Sequence, residues 1–409
     1  MTTSPRPAAS RILIDNLANW LMQEALAERD LEPVVTNCCE RLQAAGIPLA
    51  RAFFAFAVLH PLHSAIGITW TRGNGVSVED YPHVPGGISD QFRRSPHFYM
   101  IERKLDVMRI RLESSDGPKE FPIIQDLKAD GITDYLAFTI DFLMLGGRGM
   151  MGSWSTDVEG GFSEGDIEHL LRIQRRLAVA AKVAIQARLM RNLANTYLGP
   201  ITGSYVLEGQ IKRGDGQSIE AAVWLSDLRN STALADNLPR QEYIDTLNGY
   251  FDITGGAVQA AGGEILDFIG DGLLAIFPIR ESRDSVGDSC RRAMTAANDA
   301  LTRRDKHNEE RQAAGLAPLE FGVGLHVGEV MYGNVGVPER LTFSAFGVAL
   351  HEVDRLEKLS KELGEAVLAS SNFVDAAGEG NWRDLGTHHL RGVGCPVNVR
   401  ALISESSAS

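Results

Sequence analysis

Cysteine is scarce, with 4 in 409 residues. Cys38 and Cys39 are adjacent, while Cys290 and Cys395 lie far from them and from each other. No zinc spacing and no disulfide framework emerges, so a reducing compartment is the default. Basic charge is also short: 40 Lys and Arg stand against 53 Asp and Glu, a net charge of −13. No basic domain offsets that balance, which argues against nucleic acid as a partner. Long apolar runs are missing too. The richest stretch, residues 50–70, is interrupted by Arg51, His60, Pro61 and His63, so no membrane span is expected. The opening residues lack the apolar core of a signal peptide. With 44% hydrophobic and 23% charged residues, the expectation is a soluble, cytoplasmic protein of two or three domains.

What is present falls into two halves. Residues 1–10 read as a disordered tail. Leu17, Leu21, Leu26, Leu31, Val34 and Val35 follow helical spacing and predict one or two amphipathic helices over 16–43. Residues 53–59 and 64–71 read as strands about a His-Pro-Leu-His turn, and 135–145 and 149–155 as a second strand pair. Ser163 with Asp166 three positions on is a capping-box signal. It predicts a long helix over 164–198, whose Arg172, Arg175, Arg176, Lys182, Arg188 and Arg191 read as a solvated face. This layout, ending in GMMGSWSTDVEGGFSEGDIEHLLRIQRRLAVAAKVA, resembles a GAF-type sensor domain over 11–185, which implies an unidentified small-molecule or protein input. His60, His63, His83 and His97 read as turn or solvated histidines, since nothing pairs them at ligand spacing. A helical linker is expected over 186–217.

The second half centres on GGEILDFIGDGLLAIFP, residues 262–278. Two β-rich arms flank Gly270-Asp271-Gly272, which predicts a hairpin with Asp271 at its tip. Upstream, AAVWLSD reads as an apolar strand ending in Asp227. Two strand-end carboxylates that meet in space suit Mg²⁺, a hard ion that prefers oxygen ligands. A helix is predicted over 240–261, another over 284–308, and a strand over 320–326. A glycine-punctuated turn, VGEVMYGNVG, follows, then a short strand at 341–343 and a helix over 347–363.

The stretches LSDLRNSTALAD, LNGYFDITGGAVQAAGGEILDFIGDGLLAIF, GVGLHVGEVMYGNVG and ALHEVDRLEKLSKEL, followed by HLRGVGCPV, occur in that order. In this they resemble class III nucleotidyl cyclase catalytic domains over 218–403, leaving 404–409 as a tail. The resemblance implies an α+β chain: a ferredoxin-like catalytic domain behind a GAF-like sensory domain and a helical linker. It also implies a head-to-tail homodimer with composite sites, in which ATP is cyclised to 3′,5′-cyclic AMP with release of pyrophosphate. Asp227 and Asp271 would hold two Mg²⁺ or Mn²⁺ ions. The backbone of Leu228, Arg229, Asn230, Ser231 and Thr232 would cradle the triphosphate, although Asn230-Ser231 replaces the usual glycine–aromatic pair. The partner protomer would supply Arg355 to the transition state. Arg391 and, more weakly, Arg340 are phosphate candidates.

Three positions depart from the common pattern. Asp267 replaces the adenine-reading lysine, Ser344 stands at the later base-reading position, and His351 replaces the ribose-orienting asparagine. Asp267 has two readings: a guanine-binding carboxylate, which would make GTP the substrate, or an acceptor for adenine's amino group. A catalytically silent nucleotide-binding module is the remaining alternative. Gly262-Gly263-Glu264 is similar to the signature of diguanylate cyclases, but Ile265-Leu266 follow and the match fails.

Overall fold

The computed structural model describes residues 6–27, 30–58, 60, 62–113, 121–144, 148–279, 285–378, 380–390 and 396–403. The chain divides into two compact units, Met1–Leu193 and Ala194–Ser409.

The first unit opens with helices α1 (Arg11–Leu26) and α2 (Leu31–Ala44), two helices where the periodicity allowed one or two. Strands β1 (Arg51–Ala57), β2 (His63–Thr71) and β3 (Gly75–Pro82) follow, then α3 (Asp90–Arg93), α4 (Pro96–Arg103), β4 (Val107–Arg111) and α5 (Pro122–Ala129). Strands β5 (Asp134–Met144) and β6 (Arg148–Thr156) lead into the long helix α6 (Glu164–Leu198). The six strands form one antiparallel sheet in the order β3-β2-β1-β6-β5-β4. Its main core joins α1, α2 and α6 to the sheet through residues such as Leu21, Val35, Phe54, Trp154 and Leu177. A smaller core, with Met100, Phe121, Leu127 and Tyr135, gathers α4 and α5. The capping box at α6 is formed: Ser163 donates its N–H to Asp166 at 2.9 Å, and Asp166 N–H donates to Ser163 Oγ at 3.2 Å.

Two expectations in this unit need correction. His97 is not solvated. It is buried under Phe53 and bonded through Nε2 to the Gly152 carbonyl at 3.0 Å, and burial pushes its pKa down. The basic residues of α6 are not all a solvated face either. Arg172 pairs with Asp15, and half-buried Lys182 folds onto Phe142, donating to its carbonyl at 3.1 Å.

The second unit begins with α7 (Pro200–Leu207), which lies inside the helical linker expected over 186–217. The core strand β7 (Gly216–Leu228) leads into α8 (Ser231–Asn237) and α9 (Arg240–Ala260). The hairpin β8 (Glu264–Ile269) and β9 (Gly272–Pro278) is followed by α10 (Val286–Ala313). Then come β10 (Phe321–Val337), β11 (Arg340–Phe346), α11 (Val348–Leu363), β12 (Val367–Ser370), α12 (Ser371–Ala377), β13 (Trp382–His388) and β14 (Val397–Leu402). The sheet runs β13-β14-β12-β10-β7-β9-β8, with β11 paired to β10. One face packs on α9, α10 and α12, and the other on α7 and α11. The whole chain is α+β.

The expected glycine turn after residue 326 is instead the second half of β10, a strand of 17 residues. Its glycines serve close approach. A Cβ on Gly324 would lie 2.6 Å from the Val353 carbonyl of α11, and one on Gly333 would lie 2.5 Å from that of Asp215. Glycine here removes bulk between layers rather than reversing the chain.

Candidate active site

The site is built on β7 and the β8–β9 hairpin. β7 carries Ala221, Ala222, Val223 and Trp224 wholly buried, so the strand is fixed from both faces. At its end Asp227 lies opposite Gly272, in register with β9. Gly270 takes a positive φ of 65°, at the first loop position where a type II′ hairpin places glycine. Ile269 therefore pairs directly with Gly272, and the Leu228 N–H reaches the Asp271 carbonyl at 3.3 Å. The two expected carboxylates meet: Asp227 and Asp271 are close enough to hydrogen-bond to each other.

Their electrostatics follow from that closeness. Burial, then the Asp271 charge, raises the Asp227 pKa, while Arg229 and Lys361 pull it back. Glu357 is raised as well, by burial first and then by Asp227, against the pull of Arg229. The carboxylates repel one another, and Arg229 and Lys361 offset that repulsion only in part. Their hard oxygen donors and remaining repulsion fit a divalent cation. Among the described residues no group of three or more His, Cys, Asp or Glu is placed to hold a metal ion, so a cation on this pair would take its other ligands from water or substrate phosphates.

Neither Leu228 nor Arg229 has the free backbone N–H expected to face the triphosphate, and Arg229 is held at both ends. Its N–H donates to the Glu320 carbonyl at 2.8 Å, and its guanidinium reaches Glu357 Oε1 at 2.9 Å and Ser360 Oγ at 2.5 Å on α11. The lock depends on Gly322, where a Cβ would stand 1.9 Å from the guanidinium. A second lock holds the same helix. His326 of β10 contacts Glu352 of α11 at 2.8 Å through Nε2, and Ser370 Oγ at 2.9 Å through Nδ1. Sequence reasoning missed Glu357, Ser360, Lys361 and both lock partners of His326. The one signal for Arg229's role was Gly322, whose missing side chain makes the room.

Asn230 sits in the left-handed region, φ 58°, and turns the chain from β7 into α8. Ser231 and Thr232 therefore begin that helix rather than extend a turn. Asp267 is exposed on β8 beside a register shift between Ile265 and Asp267. Half-buried Ser344 lies opposite Gly333 on β11, and Cα atoms of β8 and β11 come within 8 Å. Exposed Arg340 is the first residue of β11, paired with Val337, rather than a residue ahead of the strand. Arg391 lies outside the described residues.

His351 and Arg355 both lie on α11. They share the α11 face opposite the buried Val353, Leu356 and Ser360. His351 is exposed, and half-buried Arg355 contacts Asp354 at 3.3 Å. Arg229 and Lys361 are the cations that lower the Asp227 pKa.

No family model matches the chain. It is 28% identical over 187 residues to Adenylate cyclase 1 of Rhizobium meliloti, covering 45% of this chain and 27% of that one. It is 30% identical over 168 residues to an adenylate cyclase of Anabaena cylindrica, covering 40% and 32%. The chain thus spans about a third of the length of the curated relatives it matches. Among solved structures, the adenylyl cyclase CyaB from P. aeruginosa covers 46% of this chain and 96% of its own, at 24% identity and a TM-score of 0.41. No described helix is long and apolar enough to cross a membrane. Over about 40–45% of its length, then, this chain is similar in sequence to proteins named adenylate cyclase.

Proposed function

We propose that the protein is an adenylate cyclase working as a homodimer, with the first unit receiving an input. The observation that carries this reading is the Asp227–Asp271 pair, in a chain similar to two proteins named adenylate cyclases. In the reaction the 3′-oxygen of ATP attacks the α-phosphorus. The bond from that phosphorus to the bridging oxygen breaks, pyrophosphate leaves, and the hydroxyl proton passes to solvent. Divalent cations held by Asp227 and Asp271 would supply Lewis acidity at the hydroxyl and phosphate oxygens. The N–H groups at the start of α8, after the Asn230 turn, are donors for the triphosphate tail, with Arg340 and Arg391 as further phosphate contacts. Asp267 and Ser344, on neighbouring strands, read the base. From the partner protomer, Arg355 directs its planar fork at the α-phosphate and His351 hydrogen-bonds the ribose. The outward face shared by these two residues on α11 favours composite sites over a site within one chain.

Two experiments test this. The full chain is incubated with Mn²⁺ and equal ATP and GTP, and the products are resolved by chromatography. Cyclic AMP is expected. Cyclic GMP alone would instead make Asp267 a guanine-reading carboxylate, and no product from folded protein would leave a silent nucleotide-binding module. Mixing Asp271→Ala with Arg355→Ala protomers should restore part of the activity, because one site of the mixed dimer is whole. No recovery after demonstrated subunit exchange would reject the shared site.

A further inference from the structure

A cavity of about 230 Å³ lies within the first unit, between the sheet and the C-terminal half of α6. Its floor is Phe56, Ile66, Ile68 and Phe142, all buried residues of the sheet. Its wall is a ridge of α6 at helical spacing: Lys182, Ile185 and Leu189. An apolar cavity of roughly 150 Å³ holds a benzene ring. The larger space here suits a medium-length alkyl chain or a fused bicyclic ring.

Among the polar residues of the lining, Lys182 is the one whose ammonium is placed against the floor residue Phe142. Lys182 is half-buried, its ammonium 5.9 Å from the centroid of the Phe142 ring. Among the described residues it has one acceptor, the Phe142 carbonyl at 3.1 Å. An ammonium carries three donors, so two remain for a ligand. The acidic residues of the lining, Asp30 and Glu32, are exposed at the rim, and Asp30 faces Arg191 at 3.8 Å. The charge that meets a ligand head beside the floor is therefore positive.

We propose that this cavity is a binding site for a small amphipathic carboxylate, its apolar body on the Phe56–Ile68 floor and its head on Lys182. An apolar tail alone would fill the space but make no use of the two remaining ammonium donors. The carboxylate answers both needs. The wall helix is also the segment that carries the chain past Leu193 to Leu198.

The probes are octanoate and octan-1-ol, titrated calorimetrically into the full chain. One octanoate per chain should bind saturably, at least about tenfold tighter than the alcohol, the usual margin for losing a charge-assisted hydrogen bond. Lys182→Met should reduce octanoate to the level of the alcohol and leave the alcohol unchanged. Ala184→Phe, which pushes a ring into the cavity wall, should abolish both. Should that variant fail to fold, the wild type still decides. Bound octanoate must protect Lys182 from reductive methylation, read by mass spectrometry. Equal affinity for acid and alcohol, binding that survives a folded Ala184→Phe, or unprotected Lys182 each overturns the proposal. So does an absence of binding coupled to weaker self-association in Ala184→Phe, which would make the cavity an interface between copies.

Discussion

The chain holds two strand-borne aspartates at the edge of a core, and it treats them oppositely. Asp134, at the start of β5 and fully buried, has its oxygens filled. Arg109 donates from Nε at 3.1 and 3.2 Å and from a terminal nitrogen at 2.8 Å, and the Phe162 N–H adds a bond at 2.9 Å. The same guanidinium reaches Glu164 in the first turn of α6 at 2.9 Å, tying β4, β5 and α6 at one point. Asp227, at the end of β7, is half-buried and faces a second carboxylate. A carboxylate that serves the fold has its acceptors saturated by its own chain. One left facing its own kind is relieved when positive charge arrives from outside.

The comparison breaks most visibly at the reaction. Asp227→Asn should reduce cyclase activity by at least about 10³-fold, because a neutral amide is a poor ligand for a divalent cation, while the circular dichroism spectrum stays native. An active Asp227→Asn enzyme would remove Asp227 from the metal-binding pair. Arg109→Ala should act the other way round. It leaves Asp134 buried and unpaired, destabilising the first unit by about 3–5 kcal/mol. Hydrogen exchange should then rise in β4, β5 and the start of α6 while the second unit keeps its protection. Unchanged exchange there would mean the ion pair contributes little.

Arg229→Ala stands between these cases, since Arg229 neutralises Glu357 and also tempers Asp227. Losing it should destabilise the second unit by about 3 kcal/mol and loosen α11, the helix that carries Arg355. Arg229→Lys should recover only part of the stability, because an ammonium cannot span Glu357 and Ser360 with a fixed fork. A thermal melt with equal Tm for the wild type and Arg229→Ala would reject the lock.

How much of this was legible in the sequence depended on range. Asp227 and Asp271 were readable because local patterns place each one: an apolar strand that ends, and a glycine-tipped hairpin. The capping box at Ser163 and Asp166 was readable for the same reason. What escaped lay in contacts across long sequence separations. Arg229 meets Glu357 and Ser360 only after α11 folds over β10, and nothing within a window about residue 229 indicates it. His97 was misread because its burial is decided by Phe53 and Gly152, on two other strands. The glycines of β10 were taken for a turn because a glycine that admits a neighbouring layer looks, in one dimension, like a glycine that bends the chain. Lys182 fell into a basic helix face, and only the Phe142 strand turns it inward.

The finest test of the comparison concerns stability at Asp227 itself. Its folded pKa is raised, so the folded protein holds that proton more tightly than the unfolded chain does. As pH rises from the ordinary aspartate value of 3.8 through the folded value, the folded state loses stability, and the loss persists at neutral pH. Asp227→Asn removes a charge that faces Asp271 and Glu357, so without metal it should be more stable than the wild type at pH 7. Partial exposure and screening hold the gain to about 1 kcal/mol, a rise in Tm of about 2–4 °C for a unit of this size. Below pH 3.8, where Asp227 is protonated in both states, the gain should vanish. Urea titrations at pH 7 and pH 3.5 in the presence of EDTA measure both ends. The same substitution at Asp134 should destabilise at pH 7, because Arg109 then loses its buried charged partner and keeps only Glu164, which is exposed. If Asn were equally destabilising at both positions, Asp227 would be a structural acid like Asp134, and the contrast between the two units would collapse.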